Sequence, residues 1–116
     1  MTVSQLVSQI LLTIGSRPDV RLWRSQPLVA QDRSGRIIRA LPKGHPDLTG
    51  LLRRTCTCGR PYTAPLYVEA KSETGSLRPE QRQWRGLLDR WGVPYACARS
   101  VHDVVDIIGP PPAKAD

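Results

Sequence analysis

Apolar side chains at Val3, Leu6, Val7, Ile10, Leu11 and Ile14 recur at helical spacing. That spacing lays one apolar stripe along an α-helix and predicts an opening helix over 3–14, with Gly15 as its C-terminal cap. The period then stops. From Val20 to Ala40 the chain reads as short extended pieces, and Asp32, Ser34 and Gly35 predict a turn between Pro27–Gln31 and Arg36–Ala40. The run from Leu41 to Leu48 carries two prolines and a glycine, so it is expected to bend and deliver Asp47 to the entrance of a strand over 48–52. Residues 53–64, with Cys-Thr-Cys-Gly and Pro61, read as an extended loop before a strand over 66–71. Side chains alternate across a strand, so Leu66, Val68 and Ala70 share one face while Tyr67, Glu69 and Lys71 share the other.

Ser72 to Ser76 is a polar turn containing glycine, and Pro79 suits the first position of a helix whose apolar stripe is Trp84, Leu87, Leu88 and Trp91. Gly92 ends it. Residues 93–98 form a short apolar strand, and Ser100 with Asp103 has the form of a capping box ahead of a last helix carrying Val101, Val104, Val105 and Ile108. The resulting order is α-β-β-β-α-β-α, which an α/β fold with a mixed β-sheet flanked by helices accommodates. One domain is expected over 1–109, with a Pro-rich, frayed tail over 110–116. Trp23, Trp84 and Trp91 are assigned to the core.

A chain of 116 residues supports one hydrophobic core. Its formal charge of +7 points to a polyanionic partner such as nucleic acid. The basic residues are spread along the chain rather than gathered in a tail, which fits a folded basic surface. Three cysteines make an odd count, so reduced thiols are expected and a disulfide framework is not. Polar residues interrupt the first apolar stretch, which excludes it as a membrane span, and a cytoplasmic protein is expected.

Asp47 at one strand entrance and Glu69 on another strand would meet if those strands pair, offering hard oxygen ligands suited to Mg²⁺ or Mn²⁺. Lys71 follows Glu69 by two residues and shares its face, within reach of a water or phosphate. Gln81 falls on the apolar stripe of its helix, and a buried amide there needs a partner, which the strand carrying Glu69 would supply. Taken singly, Asp47 reads as a turn residue and the Glu69–Lys71 face as a solvated one. Together with Gln81 they describe phosphodiester hydrolysis.

The runs Gly44-His-Pro-Asp47-Leu, Tyr67-Val-Glu69-Ala-Lys71, Gly75-Ser-Leu-Arg-Pro-Glu-Gln81, Gly92-Val-Pro-Tyr and Ala98-Arg-Ser100 strongly resemble the VRR-NUC (virus-type replication-repair nuclease) domain of the PD-(D/E)XK superfamily. The resemblance implies a restriction-endonuclease-like core that cuts DNA with Mg²⁺ or Mn²⁺ held by Asp47, Glu69 and the Ala70 carbonyl, with Lys71 and Gln81 at the remaining active-site positions. It also implies a free-standing phage or bacterial protein that acts as a homodimer on branched DNA such as four-way junctions. Two departures stand out. Family members carry a glutamate on the first helix where this chain has Ser4 and Gln5, so Gln5 would have to offer its amide oxygen. A long connection over 53–64 also replaces a tight turn.

Arg36, Arg39, Lys43, His45, Arg82 and Arg85 are the candidate DNA contacts. A competing reading is a nucleic-acid-binding module of the same fold with a weak or inactive site. A zinc-stabilised domain built on Cys56 and Cys58 is disfavoured, because the spacing is shorter than structural zinc sites use. His102 is assigned to the surface.

Overall fold

The structure is a computed structural model that describes residues 1–26 and 29–112. Helix α1 (Val3–Thr13) begins where Thr2 accepts the Gln5 backbone N–H and the Gln5 side chain accepts that of Thr2, a reciprocal cap. Its buried face is the predicted stripe of Leu6, Val7 and Ile10, continued by Ile14. Strands β1 (Val20–Arg24), β2 (Val29–Gln31), β3 (Ile37–Arg39), β4 (Leu48–Thr55) and β5 (Pro61–Ala70) follow, then α2 (Pro79–Arg90), β6 (Tyr95–Ala98) and α3 (Val101–Ile108). Five strands therefore precede α2 where three were expected. Of the expected hairpin, residues 27 and 28 lie outside those described, as do residues 113–116 of the expected tail.

The main sheet runs β1-β4-β5-β6, and β2 pairs only with β3. Antiparallel ladders join β1 to β4 and β4 to β5, while β5 and β6 run parallel, as a crossover through α2 requires. The mixed sheet flanked by helices thus matches the expected architecture. The register pairs Leu48 with Val68 and Leu52 with Ala64. Leu48, Leu52, Leu66 and Val68 are all fully buried and form one core with α1 and α3. Helix α2 lies on the opposite face, where Gln81 meets Glu69 and Trp84 meets Tyr67.

Three expectations need correction. Residues 53–64 are not a loop: β4 and β5 continue pairing to Thr55 and Pro61, and only the turn between them is non-strand. Strand signals there are masked by Arg and Pro, which an exposed ribbon tolerates. The thiols of Cys56 and Cys58 are joined as a disulfide at the ribbon tip, leaving Cys97 free among the described cysteines. Lastly, Trp23 and Trp91 are 47% and 72% exposed, so of the three tryptophans only Trp84 packs inward. The stripe of α2 outruns the sheet it covers.

Arg17 is also not a surface cation. It is buried, forks onto both Asp19 oxygens at 2.9 and 2.7 Å, and donates to the Gly109 and Pro110 carbonyls. A buried guanidinium is tolerated when its charge is matched and its donors are filled. Here it ties the end of α3 to the start of β1.

Candidate active site

Asp47 reaches the sheet on a tightly held loop. Gly44 adopts a positive φ of 86°, and a Cβ there would lie 2.7 Å from the Glu80 backbone and side chain. Only glycine meets both demands. Lys43 bridges to Glu80 at 3.2 Å, and the Trp84 indole N–H donates to the Lys43 carbonyl at 3.2 Å. The His45 ring lies edge-on to both Tyr67 and Trp84, with Nδ1 2.9 Å from the Pro46 carbonyl. Pro46 is fully buried. The loop is therefore clamped to α2 before it enters β4.

One residue beyond the Leu48–Val68 pair, the register sets Asp47 against Glu69. Asp47 Oδ2 accepts the Ala70 backbone N–H at 3.0 Å. Glu69 is only 2% exposed. The Gln81 amide donates to Glu69 Oε1 at 3.2 Å and accepts the Arg78 backbone N–H at 2.8 Å, which fixes which way the amide faces. Gln81 is itself buried.

Burial is the first cause that pushes the Glu69 carboxyl up to about 8, and the adjoining Asp47 carboxylate is the second. Lys71 and Arg78 pull in the opposite direction. No donor meets Glu69 Oε2, so its only hydrogen bond is the one a protonated Glu69 shares with Asp47. Two facing carboxylates are both acceptors when ionised, so a proton or a cation must come between them. The donor set is hard oxygen, and Mg²⁺ commonly uses one or two carboxylates with the remainder supplied by water and phosphate. The residues present fit such an ion. Among the described residues no third His, Cys, Asp or Glu joins the pair.

Asp47, Glu69 and Gln81 are thus brought together, with Lys71 two residues beyond Glu69 and anchored through its backbone N–H to the Ala98 carbonyl at 2.9 Å. Asp47 and Gln81 open onto a cleft of about 530 Å³ whose basic lining includes Arg24, Arg39, Lys43 and Arg78. His45 lines it too. Arg36, Arg82 and Arg85 do not: Arg82 donates to the Leu77 carbonyl and Arg85 lies 6.0 Å above the Tyr95 ring. Gln5 is likewise elsewhere, exposed and engaged in capping α1, and it is Ser4 that reaches the cleft. Sequence reasoning missed Arg24 and Arg78. Arg78 had a signal, since it precedes Pro79 and sits three residues before Gln81; Arg24 had none before the fold was known.

No helix among the described residues is long and apolar enough to cross a membrane. No curated protein matches the chain. No solved structure matches it either. The VRR-NUC domain profile does, over residues 31–102, a span that contains Asp47, Glu69, Lys71 and Gln81. The chain belongs to the VRR-NUC domain family, and that membership implies a nuclease-type function in DNA processing.

Proposed function

We propose that this protein is a Mg²⁺- or Mn²⁺-dependent endodeoxyribonuclease that acts as a homodimer on branched DNA such as four-way junctions. The observation that carries the catalytic part is the buried Glu69 Oε2, which no donor meets, beside a second carboxylate. The branched substrate and the dimer extend the family resemblance.

In this reading Asp47, Glu69 and the Ala70 carbonyl hold the ion. Bound there, the metal would polarise the scissile phosphate and lower the pKa of a water. The Ala70 N–H fixes one Asp47 oxygen, and Gln81 fixes one Glu69 oxygen, so each carboxylate keeps the other oxygen for the ion. Lys71 supplies positive charge on the same strand face, where it orients the attacking water and offsets charge developing on the phosphate. Arg24, Arg39 and Arg78 draw the DNA backbone into the cleft.

Among the described residues the site gathers two acidic side chains, and Gln5 is turned away. That favours, as a second reading, a nucleic-acid-binding module of the same fold with weak or no turnover. The two are separated by incubating labelled four-way junction, flap, single-stranded and linear duplex DNA with Mg²⁺, Mn²⁺ or EDTA, beside Glu69→Ala and Lys71→Ala. Metal-dependent cutting lost in both variants is expected. Binding without cutting by the wild type would establish the second reading instead.

A further inference from the structure

Beyond the catalytic pair, β4 and β5 extend past the rest of the sheet. The β1 ladder ends at Leu52, with one more bond from the Arg53 N–H to the Asp19 carbonyl, and β6 pairs only with residues 67–70 of β5. Residues 54–63 therefore form a two-stranded ribbon with no strand on either side among the described residues. A ribbon of this width fits a DNA major groove.

Its charge is one-sided. No Asp or Glu occurs between Leu48 and Val68, while Arg53, Arg54 and Arg60 all fall within the ribbon and its root. Arg53 pairs with Thr63 across the ladder and donates to its hydroxyl at 3.1 Å. Alternation puts both on the face that carries Tyr67 and Glu69. Arg54 faces the other way, donating to the Ile107 carbonyl at 3.3 Å, opposite Tyr62, which is 45% exposed. Arg60 is exposed beside the Cys56–Cys58 turn. Among the described residues, each guanidinium keeps donors that no protein group fills. Thr63 lies six residues from Glu69 along β5, roughly 20 Å at the usual strand rise, which is well inside one turn of B-DNA, about 34 Å.

We propose that the β4–β5 ribbon is a second DNA-contact element, with Arg53, Arg54 and Arg60 gripping duplex phosphates away from the cleavage point. This inference rests on the nuclease reading only for its ligand, DNA; it does not require turnover. Its consequence is that the protein needs duplex flanking the cleaved bond on one side.

The test measures duplex binding in EDTA, where no cutting competes, as a function of salt. Replacing Arg53, Arg54 and Arg60 together by Gln is expected to lower the log–log salt slope by about 2–3, since each phosphate contact contributes roughly 0.9. The triple Lys variant should retain the slope, because charge rather than fork geometry makes these contacts. Melting curves of both variants check folding, and if the Gln variant melts early, the three single Gln variants are compared, each expected to lower the slope by about 1. Wild-type binding with a slope unchanged in the Gln variants overturns the ribbon proposal and leaves the nuclease reading standing. A wild type that binds no duplex overturns the ribbon proposal alone, because the nuclease reading stands or falls on metal-dependent cutting of branched DNA.

Discussion

Along the ladder joining β4 to β5, the half flanked by β1 and β6 buries Leu48, Leu52, Leu66 and Val68, whereas the half beyond Arg53 exposes Tyr62 and Arg60. The backbone pairing is the same throughout; the neighbours differ. In the flanked half, desolvation dominates, and together with the hydrogen bond to Asp47 it displaces the Glu69 carboxyl to about 8. In the free half, charges are solvated and act only on what approaches them. One pair of strands thus holds a strained acidic pair at its root and a soft cationic arm at its tip. Strain stored at the root is expected to be separable from folding, and three changes examine this.

The largest effect is expected from Asp47→Asn. Asn keeps an acceptor for the Ala70 N–H and gains a donor for Glu69, so the repulsion between the two carboxylates disappears. It also removes a negative charge that the proposed ion needs. Cleavage under saturating DNA should fall by roughly 10²–10³-fold, while the metal-free variant melts at or above the wild-type temperature. A variant that loses activity and stability together would show that the root is an ordinary packed site and would erase the contrast.

The next effect is a pH dependence. The folded protein holds the Glu69 proton up to about 8, whereas the ordinary carboxyl value is 4.5. Between those values the folded state binds a proton that the unfolded chain has released. The stability from this group is therefore complete below 4.5 and declines as pH rises towards about 8. The loss is roughly 1.4 kcal/mol per pH unit at most. In EDTA, Glu69→Gln should escape it, so its melting temperature should gain on wild type steadily from pH 5 to pH 8. Parallel curves would mean that Glu69 is ionised throughout. Glu80, whose carboxyl is held below its ordinary value first by its own backbone N–H and then by Lys43, acts at the acid end and does not enter this window.

The same contrast explains what could be read from the chain alone. The helix stripes, the Pro79 start and the Ser100 cap were legible because local spacing and capping chemistry decide them. Asp47, Glu69, Lys71 and Gln81 were legible as a joint pattern, since the alternation along one strand and the stripe of one helix place them on facing surfaces. The ribbon was not. Its strands hold together through backbone pairing across the turn, Arg54 with Tyr62 and Thr55 with Pro61, rather than through apolar alternation. Exposed Trp91 and buried Arg17 escaped for a related reason: periodicity shows which residues share a face, but only the fold shows where that face ends. Gln5 failed because its amide serves the helix start, a local demand that outweighs any reach towards the cleft.

The smallest effect compares two glycines with nearly the same backbone. Gly44 at the root has φ 86° and Gly59 at the tip has φ 88°. Alanine at either position must adopt the left-handed region, which costs about 1–2 kcal/mol. At Gly59 nothing lies within 4 Å of the added Cβ, so backbone strain is the whole cost. At Gly44 the methyl group would also sit 2.7 Å from Glu80, forcing the loop from α2 and loosening the Lys43 and Trp84 contacts that place Asp47. Denaturant melts should therefore show Gly44→Ala losing at least about 1 kcal/mol more than Gly59→Ala. Only the former should slow cleavage beyond what its stability loss explains. Equal losses with cleavage untouched would mean that the loop yields without moving Asp47, and that the rigidity of the root resides in the Glu69–Gln81 contact instead.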